Sequence, residues 1–375
     1  MTMYNIINLI FGISLMVVAV ADMWVVFARD LMMLQQNSYR AERYWRWFSN
    51  SGESTNVGRI LGCVALLLIL VHHIPFFAGA AIAIIITACR FVYLIRKKYK
   101  KPLVWTPRVR RICAVMWLLA AGAGIVAGLL FGIKGACGML LAVLVVSPIL
   151  LVGANDILAP VEKRINKKYY DEAAAILASM PGLKIIGITG SYGKTSTKHY
   201  LHRILSEQFS TTMTPGSFNT TMGVIRTVRE HLRPYDEVFI VEMGAKQSGD
   251  IKEICDLVHP AVGIITAVGE QHLESFKTIE NVQRTKFELA DAVPSNGFVV
   301  LNNDFQMVAS REVKNTEAVR YGVSHTGEAD FIASEVVYTP FGTTFTVTGK
   351  GLDEPLVLHT KLVGECNVSN LMAAV

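Results

Sequence analysis

Residues 190–195, with the sequence GSYGKT, contain the residue types of a phosphate-binding loop. They follow a short apolar stretch that reads as a buried strand, and a segment with helical spacing comes after them. Backbone N–H groups of such a loop and the following helix N-terminus attract phosphate, a lysine reaches the outer phosphates, and a hydroxyl ligates Mg²⁺. The candidate phosphate-binding residues are Thr189, Gly190, Ser191, Tyr192, Gly193, Lys194, Thr195 and Ser196.

This loop departs from the strict pattern GxxxxGK[ST]. That pattern requires glycine at position 188, where this chain has Ile188, with glycines at 187 and 190 instead. A glycine-rich turn with an incidental lysine is the alternative interpretation. The flanking strand and helix favour the phosphate loop.

Five stretches, in the same order along the chain, resemble the central domain of the Mur ligases. These are ATP-dependent enzymes that add amino acids to the peptidoglycan precursor. The stretches are GITGSYGKTSTK (187–198), GSFNTTMGV (216–224), VFIVEMGA (238–245), GEQHLESFKTIENVQRTKFEL (269–289) and GECNVSNLMAA (364–374). The resemblance extends over about residues 156–375 and implies ATP and Mg²⁺ as cofactors.

The resemblance also implies roles for single residues. It makes Glu242 a ligand of a first metal together with Thr195, and His272 a ligand of a second metal. It makes Lys286 a lysine that is carbamylated by CO₂ and so gains a carboxylate for a cation. It also places Asn219 in the nucleotide site and makes Asn367 and Asn370 residues that contact adenine.

The implied reaction is amide formation through an acyl phosphate. The γ-phosphate of ATP passes to a carboxylate, and an amine then attacks it, while Lys194 and Mg²⁺ offset the charge of the transferring group. Within the family, the VEMGA and QHLESF stretches are most similar to the ligases that attach D-alanyl-D-alanine to UDP-N-acetylmuramoyl-tripeptide. The expected partners are therefore that small-molecule precursor and an amino acid or dipeptide, with no nucleic acid.

Some of these residues have plainer explanations. Glu242 could be an ordinary polar strand end, and Lys286 a solvated helix residue. His199 and His202 share one face of the helix after the loop and are expected to be solvated. His72 and His73 form part of a turn between apolar runs and are expected to lie at an interface rather than in a catalytic site.

The elements that must position the candidate residues alternate between strands and helices from residue 156 onward. The expected strands are 184–189, 237–242, 262–268 and 298–301, and the expected helices are 194–209, 250–258 and 278–292. This order predicts an α/β domain with a mostly parallel sheet and helices on both faces. Period-two alternation over 336–349 and 354–364 predicts a small antiparallel β appendage.

The first 155 residues differ from the rest in composition. They are rich in apolar residues and basic, whereas the remainder is mildly acidic, and the whole chain carries a net charge of +6. A helical span needs about 20 apolar residues, and five runs fit: 4–27, 58–77, 78–95, 112–132 and 136–154. The second and third runs could instead form one kinked hairpin, which would leave four spans. The sequence therefore predicts an all-α membrane bundle over residues 1–155.

Basic clusters follow the first, third and fifth runs, and cytoplasmic loops retain Lys and Arg. Five spans with the N-terminus outside place these clusters and the α/β domain in the cytoplasm of a bacterial cell. Arg90, near the inner end of the third run, is expected to extend to the membrane interface. Because CxxC spacing does not occur, a zinc site or a disulfide framework is not indicated.

The domain prediction is 1–155 for the transmembrane part and 156–375 for the ATP-binding part. The C-terminal domain of the family is expected to be missing, since residue 375 lies within the predicted adenine-contacting helix. Two alternatives are a membrane-anchored poly-γ-glutamate or folylpolyglutamate-type ligase and a non-catalytic nucleotide-binding membrane protein. An ATP-driven transporter is disfavoured because an LSGGQ-like signature is missing from the sequence.

Overall fold

The computed structural model describes residues 2–71, 73–270, 273–323 and 329–375. The chain divides into two compact units, Met1–Arg164 and Ile165–Val375. The division falls within one long helix, α5 (Pro107–Ala178), so this helix contributes residues to both units.

The first unit consists of helices. In chain order they are α1 (Met3–Gln36), α2 (Ala41–Asn50), a 3₁₀ turn (Glu53–Thr55), α3 (Val57–Leu70), α4 (Phe76–Arg96) and the first part of α5. By length and composition, three helices in the described part of the chain could cross a membrane, namely α1, α4 and α5. Helix α3 is apolar but has only 14 residues. The coarse expectation of long apolar helices is confirmed, whereas the number of five spans stays a prediction.

Helix α5 reverses direction at Gly132. This residue has φ 63° and ψ −159°, a conformation that is essentially restricted to glycine. Arg111 Nε donates to Glu162 Oε1 at 2.7 Å, although the two residues are 51 positions apart. In a straight helix with a rise of about 1.5 Å per residue they would be roughly 76 Å apart. The two halves of α5 therefore run antiparallel, and the turn lies between the fourth and fifth predicted apolar runs.

Charged side chains join the helices of the first unit. Arg90 on α4 is buried, and its Nε donates to Asp22 Oδ2 on α1 at 2.7 Å. Arg90 Nη1 also donates to the carbonyl of Gly58 at 3.2 Å. The prediction that Arg90 extends to the interface is wrong, because an acidic partner on another helix satisfies the guanidinium inside the bundle.

The second unit contains one sheet, with nine strands in the described residues and the order β2-β3-β1-β4-β5-β6-β7-β8-β9. The strands are β1 (Lys184–Thr189), β2 (Thr211–Met213), β3 (Val238–Glu242), β4 (Val262–Ile265), β5 (Phe298–Asn302), β6 (Glu317–Gly322), β7 (Phe331–Thr339), β8 (Gly342–Gly349) and β9 (Leu356–Thr360). All pairs from β2 to β7 are parallel, and β7-β8-β9 are antiparallel. The predicted antiparallel strands near the end of the chain are present, and they continue the same sheet because β7 pairs with β6.

Helices cover both faces of this sheet. They are α6 (Lys194–Leu205), α7 (Thr221–Glu230), α8 (Asp250–Val258), α9 (Leu273–Phe276), α10 (Ile279–Ala292), α11 (Gln306–Ala309) and α12 (Glu365–Met372). The end of α5 with α7, α8 and α10 packs on one face, and α6 with α12 packs on the other. The α/β prediction is confirmed, and β1 has the expected bounds.

Other boundaries differ from the expectations. Helix α6 ends at Leu205 rather than at residue 209, and β2 and β6 were not predicted. Strand β2 has three residues at the edge of the sheet, which is too short to show a period of two.

The parallel order determines where the candidate residues meet. Strand β1 lies between β3 and β4, so the carboxyl ends of these three strands are adjacent at one edge. The loop after β1, Glu242 at the end of β3 and the loop after β4 therefore converge, as ligand sites of open α/β sheets do.

Candidate functional site

The loop between β1 and α6 is bound to the loop after β4. The N–H of Ser191 donates to the carbonyl of Ala267 at 2.7 Å, and the Ser191 hydroxyl lies 3.0 Å from both the carbonyl and the N–H of Gly269. Thr266 Oγ1 donates to the carbonyl of Tyr192 at 2.5 Å. These bonds fix the backbone of the loop at the N-terminus of α6.

Gly193 occupies the position immediately before α6 and has φ +81°. A Cβ atom at this position would lie 2.1 Å from Oδ1 of Asn370. Both the left-handed conformation and the close approach require glycine here. The local sequence therefore produces a tight turn that leads directly into a helix N-terminus, which is the geometry of a phosphate cradle.

Lys194 and Thr195 begin α6 and lie at this cradle. Lys194 Nζ donates to the carbonyl groups of Gly190 and Ser191, the second at 3.3 Å. Burial lowers the pKa of Lys194, while the negative charge of Glu242 acts in the opposite direction. Thr195 is exposed, and its hydroxyl donates to Glu242 Oε2 at 3.0 Å.

Glu242 ends β3 with a buried carboxylate that three side chains hold. Oε2 accepts from Thr195 and from Lys198 Nζ, the latter at 2.9 Å, and Oε1 accepts from Asn219 Nδ2 at 3.1 Å. Glu242 is thus a buried and fully hydrogen-bonded strand end, and its role as a metal ligand stays a prediction. The structure brings Glu242, Thr195 and Asn219 together at the glycine-rich loop.

Lys198 is a residue of this site that the sequence analysis did not identify. It follows Lys194 by four positions on α6, so the two side chains share one face of the helix. In the sequence, its spacing of four residues from Lys194 on the predicted helix was the signal that could have revealed it. Its side chain is 0% exposed.

Lys286 lies on α10 and is 2% exposed, so the interpretation as a solvated helix residue is wrong. Burial lowers the pKa of Lys286 to about 7, and the charge of Lys194 acts in the same direction. Glu288 and Asp250 act in the opposite direction. The amine of Lys286 is therefore largely uncharged above pH 7 and lies within electrostatic range of Lys194.

The remaining histidines differ in what the structure describes. His272 and His72 lie outside the described residues. His199 is exposed, as expected, and His73 is exposed as well, while its place at a membrane interface stays a prediction. His202 is half-buried, and its Nε2 lies 3.2 Å from the carbonyl of Thr211.

Other predicted nucleotide-site residues make contacts within the protein. The Thr189 hydroxyl donates to the carbonyl of Met243 at 2.9 Å and ties β1 to β3. Tyr200 donates its hydroxyl proton to Asn367 Oδ1 at 2.8 Å, so Asn367 joins α12 to α6. Asn370 lies against Gly193, and the Thr197 hydroxyl donates to its Oδ1 at 3.5 Å. Contact of these two asparagines with adenine stays a prediction.

The donors at this site fit Mg²⁺ with a polyphosphate. Thr195 and Glu242 offer hard oxygen ligands 3.0 Å apart, and Mg²⁺ completes its shell with water and phosphate oxygens. Residues 2–71, 73–270, 273–323 and 329–375 contain no cluster of three or more His, Cys, Asp or Glu side chains that could hold a metal alone. Lys194 and the backbone N–H groups at the start of α6 supply positive charge at the loop, which favours an anionic ligand.

The family model described as Mur ligase middle domain matches residues 188–375, which is half of the chain. The UDP-N-acetylmuramoyl-tripeptide--D-alanyl-D-alanine ligase of Mycobacterium bovis is 40% identical over 157 residues, covering 42% of this chain and 30% of that protein.

Solved structures agree with this match. A MurF crystal structure from Acinetobacter baumannii aligns with a TM-score of 0.51 at 28% identity, over 55% of this chain and 44% of that one. A MurF ligase from Thermotoga maritima in complex with ADP aligns with a TM-score of 0.51 at 25% identity, over 56% of this chain and 47% of that one. The chain thus spans less than half the length of each of these similar proteins.

Proposed function

This chain belongs to the Mur ligase family through its middle domain, and from that membership we propose that it is an ATP-dependent peptide ligase. The proposed reaction joins D-alanyl-D-alanine to UDP-N-acetylmuramoyl-tripeptide. One observation carries the proposal: the buried Glu242 carboxylate, held by Thr195, Lys198 and Asn219, stands directly beside the glycine-rich loop. Such an arrangement suits phosphoryl transfer, in which positioning and charge stabilisation supply most of the catalysis.

The residues of the loop would act on the triphosphate. Backbone N–H groups at the start of α6 would bind phosphate oxygens, and Lys194 would exchange its bonds to the carbonyls of Gly190 and Ser191 for the outer phosphates. Thr195 and Glu242 would hold Mg²⁺. That ion, when bound, supplies positive charge that offsets the charge of the transferring phosphoryl group.

Lys286 would serve as the carbamylated lysine. A neutral amine is the form that adds to CO₂, and burial already lowers the pKa of this side chain to about 7. The carbamate would then present oxygen atoms near Lys194, where a carboxylate can bind a cation. His272 would complete the second metal site, as the resemblance implies.

We further propose that the helical unit is a multi-pass anchor in a bacterial cytoplasmic membrane, with five spans and the N-terminus outside. The apolar character of α1, α4 and α5 supports this proposal. So does the basic run 96–101, which follows α4 and fits a cytoplasmic loop. A ligase held at the inner leaflet would work where peptidoglycan precursors are transferred to a lipid carrier.

The test uses the full chain in lipid nanodiscs with ATP, Mg²⁺, UDP-N-acetylmuramoyl-tripeptide and D-alanyl-D-alanine. We expect ADP release coupled to a ligated product that mass spectrometry detects. Lys194→Met and Glu242→Gln should abolish both signals, whereas Lys184→Gln, at an exposed position at the start of β1, should leave them unchanged. If a product formed only when a folate or a γ-glutamyl acceptor replaced the tripeptide, the proposed substrate would be wrong.

A further inference from the structure

Lys198 is a buried cation outside the set of residues that the resemblance identified. Its side chain is 0% exposed and that of Glu242 is 1% exposed, so the ion pair between them is shielded from water. Lys198 Nζ donates to Glu242 Oε2 at 2.9 Å and to the carbonyl of Gly216 at 2.6 Å. A buried ammonium is costly unless it is paired and hydrogen-bonded, and these two bonds meet that requirement.

The carboxylate oxygen that Lys198 contacts is also the one beside Thr195. Oε2 of Glu242 accepts from both Lys198 Nζ and Thr195 Oγ1, whereas Oε1 accepts from Asn219. Under the proposed function, on which this inference rests, Thr195 and Glu242 hold the divalent cation. A cation bound there would share Oε2 with an ammonium that already compensates its charge.

Lys194 and Lys198 have different surroundings, although one helical turn separates them. Lys194 Nζ donates to carbonyl groups of the glycine-rich loop and can be redirected to phosphate. Lys198 points toward the sheet and is enclosed between the end of β3 and the segment at Gly216. Lys194 lies at the candidate phosphate site, and Lys198 contacts the Glu242 carboxylate.

We propose that Lys198 balances the charge of the Glu242 carboxylate while the divalent cation is absent and competes with that cation for Oε2 of Glu242. Two consequences follow. Without Lys198, the metal-free protein contains a buried carboxylate that lacks a cation and is less stable. A divalent cation then no longer competes with an ammonium at Oε2 and binds more tightly.

The test uses the full chain in nanodiscs with Mn²⁺ as the probe and without nucleotide. The variant Lys198→Met keeps the length of the side chain and removes its charge. Electron paramagnetic resonance of free Mn²⁺ gives the affinity, and thermal unfolding in EDTA and in Mn²⁺ gives the stability. We expect Lys198→Met to raise the Mn²⁺ affinity by about tenfold, since one neighbouring charge shifts an ionic equilibrium by that order, and to lower the midpoint in EDTA.

Matched variants separate this role from a general packing effect. Arg203→Met removes an exposed cation from the same helix and should change neither measurement. Glu242→Gln should abolish the tight Mn²⁺ site, and the double variant Lys198→Met with Glu242→Gln should recover the midpoint that Lys198→Met loses in EDTA.

The proposal is overturned if Lys198→Met binds Mn²⁺ no more tightly than the wild type, or if its thermal unfolding midpoint in EDTA is unchanged. It is also overturned if Glu242→Gln binds Mn²⁺ as tightly as the wild type. Because neither readout needs turnover, failure of the ligation assay alone contradicts the proposed substrate and leaves this inference standing.

Discussion

At the scale of single residues, burial distinguishes three charged side chains near the glycine-rich loop and α10. Glu242, Lys198 and Lys286 are all nearly inaccessible to water, although each belongs to a residue type that is mostly exposed in proteins. Glu242 and Lys198 form an ion pair with each other, which offsets the cost of burying their charges. Burial disfavours the charged form of Lys286 and lowers its pKa to about 7. The site therefore combines a satisfied ion pair with an amine that is poised to lose its proton.

The low pKa of Lys286 predicts a dependence of stability on pH. The pKa falls from 10.5 in the unfolded chain to about 7 in the folded one, so the penalty for the buried charge is fully present below pH 7. It is relieved as the pH rises from 7 towards 10.5, where the folded state no longer has to bury a charge. Lys286→Met should thus stabilise the protein at pH 6, and this gain should shrink steadily up to pH 10.

Thermal unfolding in CO₂-depleted buffer measures the effect. For a unit of this size, a change of ~1 kcal/mol in the free energy of unfolding shifts the unfolding midpoint by roughly 2–4 °C. We therefore expect the midpoint to rise by several degrees at pH 6. The exposed Lys184→Met is the control and should show the same midpoint as the wild type at every pH. A gain from Lys286→Met that is constant from pH 6 to pH 10 would mean that the residue is not titrating in this range.

At the scale of elements, the phosphate loop depends on the residues around it as much as on its own sequence. Strand β1 and helix α6 set its two ends, and hydrogen bonds from Ser191 and Thr266 tie it to the segment after β4. Helix α12 closes the other side, where Asn370 lies against Gly193. The loop is therefore preorganised by two segments that are distant from it in sequence, the one after β4 and α12.

Gly193→Ala tests this preorganisation. An alanine would have to adopt φ +81°, and its Cβ would overlap Asn370 Oδ1, so the turn must shift or α12 must move. Backbone strain of this kind costs about 1–3 kcal/mol. We expect the affinity for a fluorescent ADP analogue to fall by about tenfold, as measured by fluorescence anisotropy.

Gly182→Ala is the control, because a Cβ there meets no atom within 4 Å and the residue does not have a positive φ. Its ADP affinity should equal that of the wild type. If Gly193→Ala also kept the wild-type affinity, the loop would not be the nucleotide site.

Gly132 plays a comparable part in the helical unit. Its φ of 63° reverses α5, and alanine at this position is strained even though the surrounding space is open. We expect Gly132→Ala to lower the free energy of unfolding in detergent by about 1–3 kcal/mol. Gly122→Ala, in the same helix with equally open surroundings and ordinary helical geometry, should raise it by roughly 0.5–1 kcal/mol.

At the scale of the whole molecule, the two units have separate apolar cores. The core of the α/β unit includes the last turns of α5, where Ala173 is buried and Tyr169 packs against it. Arg229 Nε donates to Glu172 at 2.9 Å and attaches the same turns to α7. A fragment of residues 165–375 should therefore remain in the supernatant after ultracentrifugation and bind ADP as the full chain does.

A shorter fragment, residues 179–375, provides the contrast. It lacks the turns of α5 that carry Tyr169 and Ala173 and exposes the apolar surface beneath them. We expect it to aggregate or to unfold at a midpoint lower by several degrees, as judged by light scattering and circular dichroism. Aggregation of the 165–375 fragment as well would show that the α/β unit does not fold by itself.

The sequence determined those features that depend on neighbouring residues. Strand β1, the turn at Gly190 and Gly193 and the start of α6 follow from local spacing, and the long apolar runs of the first unit follow from composition alone. The alternation of strands and helices also follows from the sequence, because apolar periods of two and 3.6 residues alternate along the chain.

Only the tertiary structure decided the features that depend on residues far apart in the chain. Lys198 faces Glu242, Arg90 pairs with Asp22 inside the helical bundle, and β7 joins β6 to extend one sheet. Burial and the nearby charge of Lys194 also lower the pKa of Lys286, which no linear pattern encodes. The physical reason is the same in each case: desolvation and charge pairing depend on which segments meet in space, and the sequence displays only which segments follow one another.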